Sequence, residues 1–258
     1  MNYSGIPYRI FPLGDTALTI DFGNAINDAI NREVIARFNQ LQEQPLPGML
    51  EAIPAYSSLT VYYNVYELRR KIKSGKTVFE WMKEQLEERM KTPVQEKKIT
   101  ERLIKIPVCY QDEFAADIQQ LAATKNISAA DVVQIHTSIN YKVYMLGFLP
   151  GFAYMGEVDE RITMSRKPQP LNVVAGSVGI AGKQTGIYPL ASPGGWQIIG
   201  RTPLKLFKAP PTPPEGEASK DSVNSDNSIY TPTLIKAGDM VQFYSITKIE
   251  FEQINAKE

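Results

Sequence analysis

Ten of the seventeen glycines in this chain lie between Gly147 and Gly200, in company with prolines. Each glycine inside a helix costs about 1 kcal/mol relative to alanine, so helices tolerate this density poorly. Tight turns and the corners of curved sheets demand it, because only glycine accepts a positive φ or a close backbone approach at no steric cost. The stretch predicts an irregular, Gly-rich β-barrel or sandwich running from about residue 98 to the C-terminus.

The first third follows a different grammar. Leu18, Ile20 and Phe22 alternate with polar residues, a period of two that suits a half-buried strand. Ile26, Ile30, Val34 and Phe38 then recur every four residues and form one apolar helical stripe. Pro45, Pro47 and Gly48 break the chain, and Leu59, Val61, Tyr63 and Val65 restore the strand period. Val78, Met82, Leu86 and Met90 mark a second amphipathic helix. This β-α-β-α order predicts a small α/β domain over residues 1–97, and so an α+β chain of two domains, 1–97 and 98–258.

The second part opens on the strand-like ERLIKIPVCY. Helical patterns follow around Phe114–Ala123 and from Ser128, where Ser128 and Asp131 have the spacing of a capping box. Residues 208–228, KAPPTPPEGEASKDSVNSDNS, hold almost nothing large and apolar, which predicts a flexible insertion. A turn at Ala237–Asp239 and a closing strand come after it.

With 28 acidic and 28 basic residues there is no net charge and no basic stripe for nucleic acid. Cys109 is the only cysteine, so no intrachain disulfide forms. The N-terminus lacks the basic and apolar regions of a signal peptide, and no window approaches eighteen unbroken apolar residues. A cytoplasmic protein away from the membrane is expected.

Standard catalytic signatures are mostly missing. GSVGIAGKQTG (176–186) resembles a phosphate loop, but Ser177 stands at its required first glycine and Gln184 at its magnesium-binding Ser/Thr. Ser177 also sits in a run one residue too short for a nucleophile elbow. One histidine and one cysteine argue against a zinc site, and no metal is expected. His136, at the end of a predicted helix, is either a C-terminal residue satisfied by the last carbonyls or a proton-transfer group. Arg166 and Arg201 suit bidentate capture of a carboxylate or phosphate, or else brace loops. Gln184, Tyr188 and Trp196 line the same cavity or belong to the core, with core favoured for Trp196; Gly194–Gly195 reads as a turn.

Two runs in this region carry a family resemblance: HTSINYKVYMLGFLPGFAYMGEVDERI and AGSVGIAGKQTGIYPLASPGGWQIIGRTPLKLF. Together with LGDTALTIDFG and IPAYSSLTVYYN, they resemble the KipI/PxpB family, which comprises 5-oxoprolinase B subunits and is also called allophanate hydrolase subunit 1. The resemblance covers nearly the whole chain outside 208–228. It implies a small α/β domain followed by a cyclophilin-like β-barrel. It also implies two 5-oxoprolinase partners, a C subunit of the allophanate hydrolase subunit 2 family and an A subunit of the LamB/YcsF family. The complex would couple ATP hydrolysis to opening of the 5-oxoproline lactam, with this chain inactive alone and ATP held at least partly by the partners. On this reading Arg166, Arg201 and Tyr188 bind substrate while His136 and Gln184 act in catalysis. The chain departs from the family pattern at Val174, where a proline is usual, and near Leu171, where a second arginine would fall. The resemblance leaves two other functions open: a KipI-like inhibitor of a sensor histidine kinase, and a component of an allophanate hydrolase or urea carboxylase-type enzyme.

Overall fold

The computed structural model describes residues 5–72, 75–93, 102–209 and 232–257, so the stretch expected to be flexible lies, beyond residues 208 and 209, outside the described residues. The chain divides into two compact units, Met1–Thr100 and Glu101–Glu258. The boundary expected near residue 97 itself lies outside the described residues.

In the first unit β1 (Arg9–Pro12), β2 (Ala17–Asp21), α1 (Asp28–Glu43), β3 (Met49–Pro54), β4 (Ser58–Tyr63), α2 (Val65–Lys71) and α3 (Val78–Lys91) follow one another. The strands form an antiparallel sheet in the order β1-β2-β4-β3. Leu59, Val61 and Tyr63 of β4 are buried alternately, as the period of two requires. Val34 and Leu41 of α1 and Met82, Leu86 and Met90 of α3 share a core with that sheet. Two expectations shift. Ile26 is exposed and precedes α1, which Asn27 caps by accepting the Ala29 and Ile30 N–H groups. Val65 opens α2 rather than extending β4, because Asn64 accepts the Glu67 N–H and caps a helix there.

A buried arginine ties the helices of this unit together. Arg37 of α1, almost wholly buried, pairs with Glu33 at 2.9 Å and donates to the carbonyls of Arg89, Met90 and Thr92 at 2.9–3.2 Å. The Arg89 carbonyl also accepts from the Thr92 N–H and hydroxyl, and the guanidinium supplies the further donors that the carbonyls at the end of α3 can use, so it meets both its own burial and the helix terminus.

The second unit contains β5 (Leu103–Cys109), α4 (Ile118–Lys125), α5 (Ala129–Thr137), β6 (Asn140–Leu146), β7 (Ala153–Gly156), β8 (Leu171–Val173), β9 (Ser177–Ala181), β10 (Gln184–Ile187), β11 (Ser192–Gly194), β12 (Gln197–Arg201), β13 (Met240–Ile246) and α6 (Lys248–Asn255). Seven strands close a barrel in the order β10-β7-β6-β13-β5-β12-β9, with β9 hydrogen-bonded back to β10. The pair β5–β13 is parallel and the other barrel pairs are antiparallel. Strands β8 and β11 form a separate two-stranded ribbon. The expected barrel is thus present and closed.

Local signals explain the helices here. Ser128 and Asp131 form the capping box their spacing implies. The helical pattern placed from Phe114 starts later, at Ile118, after a 3-10 turn over Asp112–Phe114. Helix α6 was not expected, yet Thr247 and Glu250 give it the same kind of capping box.

The glycines divide by physical need. Gly176 has φ +83°, and a Cβ there would lie 2.3 Å from the Thr202 carbonyl oxygen. Its N–H donates to Tyr188 and its carbonyl accepts from Thr202, so the backbone has nowhere to retreat. Gly194 belongs to β11 rather than to a turn, and its missing side chain leaves room for the Tyr188 hydroxyl, 2.3 Å from where a Cβ would be. Gly182 turns the β9–β10 hairpin at φ +59° with open space around it. We expect Gly176→Ala to lower stability by about 3 kcal/mol or more, from a positive φ and a clash with backbone. Gly182→Ala, with the φ penalty alone, should lose about 1 kcal/mol. Denaturant titration of the two variants checks the ranking, and equal losses would refute this account.

Candidate functional site

A cleft of about 1010 Å³ lies on the barrel unit between α4 and the strap of residues 163–169. Gln120, Thr124 and Lys125 line it from α4, and Arg166, Lys167 and Gln169 from the strap. The β9–β10 turn adds Gly182 and Lys183, and β12 adds Gln197. Most of the residues that line it carry polar or charged side chains, so the cleft can offer hydrogen bonds and charge to a ligand.

The walls are fixed by backbone. The Gly182 N–H donates to the Met164 carbonyl at 2.7 Å, the Gln197 side-chain amide donates to the Ser165 carbonyl at 2.8 Å, and the Lys167 N–H donates to the Gly195 carbonyl at 2.7 Å. Three successive tethers therefore flank Arg166. On the facing wall Asp117, the N-cap residue of α4, clamps that helix to β12. Its N–H donates to the Ile198 carbonyl at 2.9 Å, and its carboxylate accepts the Ile198 N–H at 2.6 Å. The same carboxylate oxygen holds the Lys167 ammonium at 2.6 Å, with both side chains mostly buried. Lys125 Nζ lies 3.3 Å from the Thr163 hydroxyl and links the end of α4 to the start of the strap.

Of the five residues singled out from the sequence, Arg166 is the one that lines this cleft. Its guanidinium lies over the Trp196 ring at 5.8 Å. Gln184 opens β10 just beyond Lys183, half-buried and paired with Ala181 and Gly156 across the barrel wall. Tyr188 is 1% exposed and packs edge-on against Phe152 in a cluster that includes Trp196, so both aromatics belong to the core. Arg201 donates to the Ala175 carbonyl at 2.9 Å and lies over the Phe251 ring of α6, bracing the loop before β9. The segment that resembles a phosphate loop is the β9–β10 hairpin, with no helix behind it to present amides to a phosphate. Asp117 and Lys125 were missed from sequence. Lys167 was missed as well, since its carboxylate partner Asp117 is 50 residues away and carries no motif.

His136 sits at the end of α5, but the last helix carbonyls do not satisfy it. The ring is wholly buried, stacked on Phe243 of β13 at 4.5 Å and flanked by Tyr141. Tyr110 Oη lies 2.8 Å from Nδ1, and Thr185 Oγ1 lies 2.9 Å from Nε2. Thr185 donates its hydroxyl proton to the Gly179 carbonyl at 3.2 Å, so its oxygen accepts from an Nε2–H and Nδ1 accepts from Tyr110. Every polar position of the neutral ring is thereby used. Burial pushes the His136 pKa down to about 3. Such a group is neither reachable by a ligand in the cleft nor charged near neutrality. Proton transfer, the role expected of it, does not fit this position, and the side chain acts as a core strut.

A histidine whose folded pKa lies below its unfolded value of about 6.5 stabilises the fold fully above pH 6.5 and loses that contribution as pH falls towards 3. His136 is the single histidine, and the carboxylates of an unfolded chain take up few protons above about pH 5.5. Between pH 6.5 and 5.5 the barrel unit should therefore lose stability with a slope that rises from about 0.7 towards about 1.4 kcal/mol per pH unit as the unfolded histidine takes up its proton. Denaturation followed by Trp196 fluorescence in a Trp81→Phe background measures this. His136→Gln should abolish the slope in that window, and a slope that survives the substitution would rule His136 out as its source.

Comparison with known proteins places this architecture. The family model for the carboxyltransferase domain, subdomain C and D, matches residues 8–215. The 5-oxoprolinase B subunit of Bacillus subtilis (strain 168) is 42% identical over 248 residues, covering 95% of this chain and 96% of that protein. The 5-oxoprolinase B subunit of Escherichia coli O157:H7 is 34% identical over 236 residues, covering 91% and 94%. Among solved structures, that of TTHA0988 superposes with a TM-score of 0.68 at 31% identity, covering 89% of this chain but 40% of the longer one. The Kluyveromyces lactis urea amidolyase shares the fold, with a TM-score of 0.68 at 19% identity over 97% of this chain and 15% of its own. By its match to the subdomain C and D model and its full-length identity to these relatives, the chain belongs to the family of 5-oxoprolinase B subunits, within the carboxyltransferase-type proteins.

Proposed function

We propose that this chain is the B subunit of a cytoplasmic, ATP-dependent 5-oxoprolinase and has no activity alone. The observation that carries the reading is the 42% identity, over 95% of the chain, to a protein named as a 5-oxoprolinase B subunit. The partners are a C subunit of the allophanate hydrolase subunit 2 family and an A subunit of the LamB/YcsF family.

The chemistry explains the need for both ATP and partners. A lactam carbonyl is a poor electrophile. Transfer of the γ-phosphoryl group to its oxygen gives an activated carbon that water attacks. The ring C–N bond then breaks, and glutamate, ADP and phosphate leave. Such a route needs cations for phosphate and carboxylate oxygens and donors for developing negative charge. Arg166 supports a share of that work for this chain, since it projects from a tethered strap into the cleft. With a β-hairpin where a phosphate loop would stand, at least part of the ATP site falls to the partner subunits.

Glutamate formation from 5-oxoproline and ATP is the test, run with the purified chain alone and with its A and C subunits. Glutamate should form in the full mixture only, and Arg166→Ala should lower the rate about tenfold or more. Silence from a verified, assembled complex would overturn the reading, and turnover by the chain alone would overturn the requirement for partners.

A further inference from the structure

The cleft brings together four cations, Lys125, Arg166, Lys167 and Lys183. Their electrostatic standing differs. Lys167 is neutralised by Asp117, the one carboxylate among the lining residues. Lys183, at the rim, is shared with Glu160 at 3.5 Å and Glu157 at 4.0 Å. Among the described residues, Arg166 and Lys125 have no carboxylate partner. The Arg166 guanidinium contacts the Trp196 ring, and the Lys125 ammonium contacts the Thr163 hydroxyl. Two uncompensated cations thus line one cleft, one from each wall, on backbone held by the Asp117 clamp and the three strap tethers.

That arrangement is more than a solvated charged surface. A guanidinium resting on an aromatic face keeps its donor edges free, and its planar fork matches the two oxygens of a carboxylate or phosphate. The amide and hydroxyl groups of Gln120, Gln169, Thr163 and Ser165 surround the two cations, while apolar lining is confined mainly to Met164, Pro168 and Leu171. Fixing the walls before the ligand arrives removes part of the ordering cost of binding.

We propose that the cleft between α4 and the 163–169 strap is an oxyanion-binding site, in which a carboxylate or phosphate group is held between Arg166 and Lys125. Asp117 is a positioning residue there. It fixes both α4 and Lys167, and it keeps Lys167 from adding a third free charge. The proposal rests on the 5-oxoprolinase reading only for its choice of probes.

The test is binding to the full chain by itself, at low ionic strength, read by calorimetry and by amide chemical shifts. Pyrophosphate and ATP without metal form one arm, and 5-oxoproline forms the other. At least one arm should saturate, with shifts concentrated at Ser165, Gly182 and Gln197. Arg166→Ala combined with Lys125→Ala should weaken that binding at least tenfold. Lys71→Ala, an exposed cation of the first unit, should leave it unchanged. Saturation in the phosphate arm alone assigns the site to phosphate, and in the 5-oxoproline arm alone to carboxylate. No saturation below about 10 mM in either arm, or binding indifferent to the double variant, would overturn the proposal. Because no partner protein is needed, failure of the assembled complex to make glutamate would leave this result standing, and the reverse holds as well.

Discussion

Closure of the barrel by its last strand is the constraint on which the second unit depends. Strand β13 lies between β5 and β6, parallel to the first through seven residue pairs and antiparallel to the second through three. An open sheet would leave rows of unpaired N–H and C=O groups at both edges, whereas a closed one leaves none. The strand that completes the ring comes from the far end of the chain, so the barrel closes only once residues 240–246 are in place. Helix α5 then packs against the finished wall, its His136 stacked on Phe243 of β13 and hydrogen-bonded to Thr185 of β10.

Closure decides what the single histidine is for. An imidazole at a surface would titrate near neutrality and serve proton transfer. Here desolvation disfavours its charged form, and three hydroxyl and carbonyl groups form a chain that fits only the neutral ring. The group with the most evident catalytic chemistry in the sequence is therefore spent on holding Tyr110, Thr185 and Gly179 in one polar line through an otherwise apolar core.

The cleft is built on the outside of the same wall. Its geometry is set by groups that do not themselves meet a ligand: the Asp117 carboxylate on the Ile198 amide, the Gln197 amide on the Ser165 carbonyl, and the Gly182 amide on the Met164 carbonyl. Each tether joins a segment of irregular chain to a strand of the barrel or to the turn between two strands. A strap that would wander as a free loop is thus held to the barrel at successive residues, and Arg166 inherits its position from that attachment.

What the sequence determined by itself is what short-range physics decides. The Ser128–Asp131 capping box, the alternation of Leu59, Val61 and Tyr63, and the stripe from Val78 to Met90 depend on residues a few positions apart, and each formed as its spacing dictates. The capping box at Thr247–Glu250 was equally local and could have announced α6. Glycine density announced the barrel, and long motif runs announced the family. Where two local signals competed, as at Val65, the cap on Asn64 won over the strand period. The tertiary structure alone decided which side chains meet. Asp117 reaches Ile198 across 81 residues of sequence, and His136 reaches Thr185 across 49. Nothing in a local pattern encodes such pairs, because they exist only after the barrel has closed and brought strands from both ends of the unit together. For that reason Arg166 alone of the five expected site residues reached the cleft, while Tyr188 and His136 were drawn into the core, Gln184 into the barrel wall and Arg201 into bracing a loop.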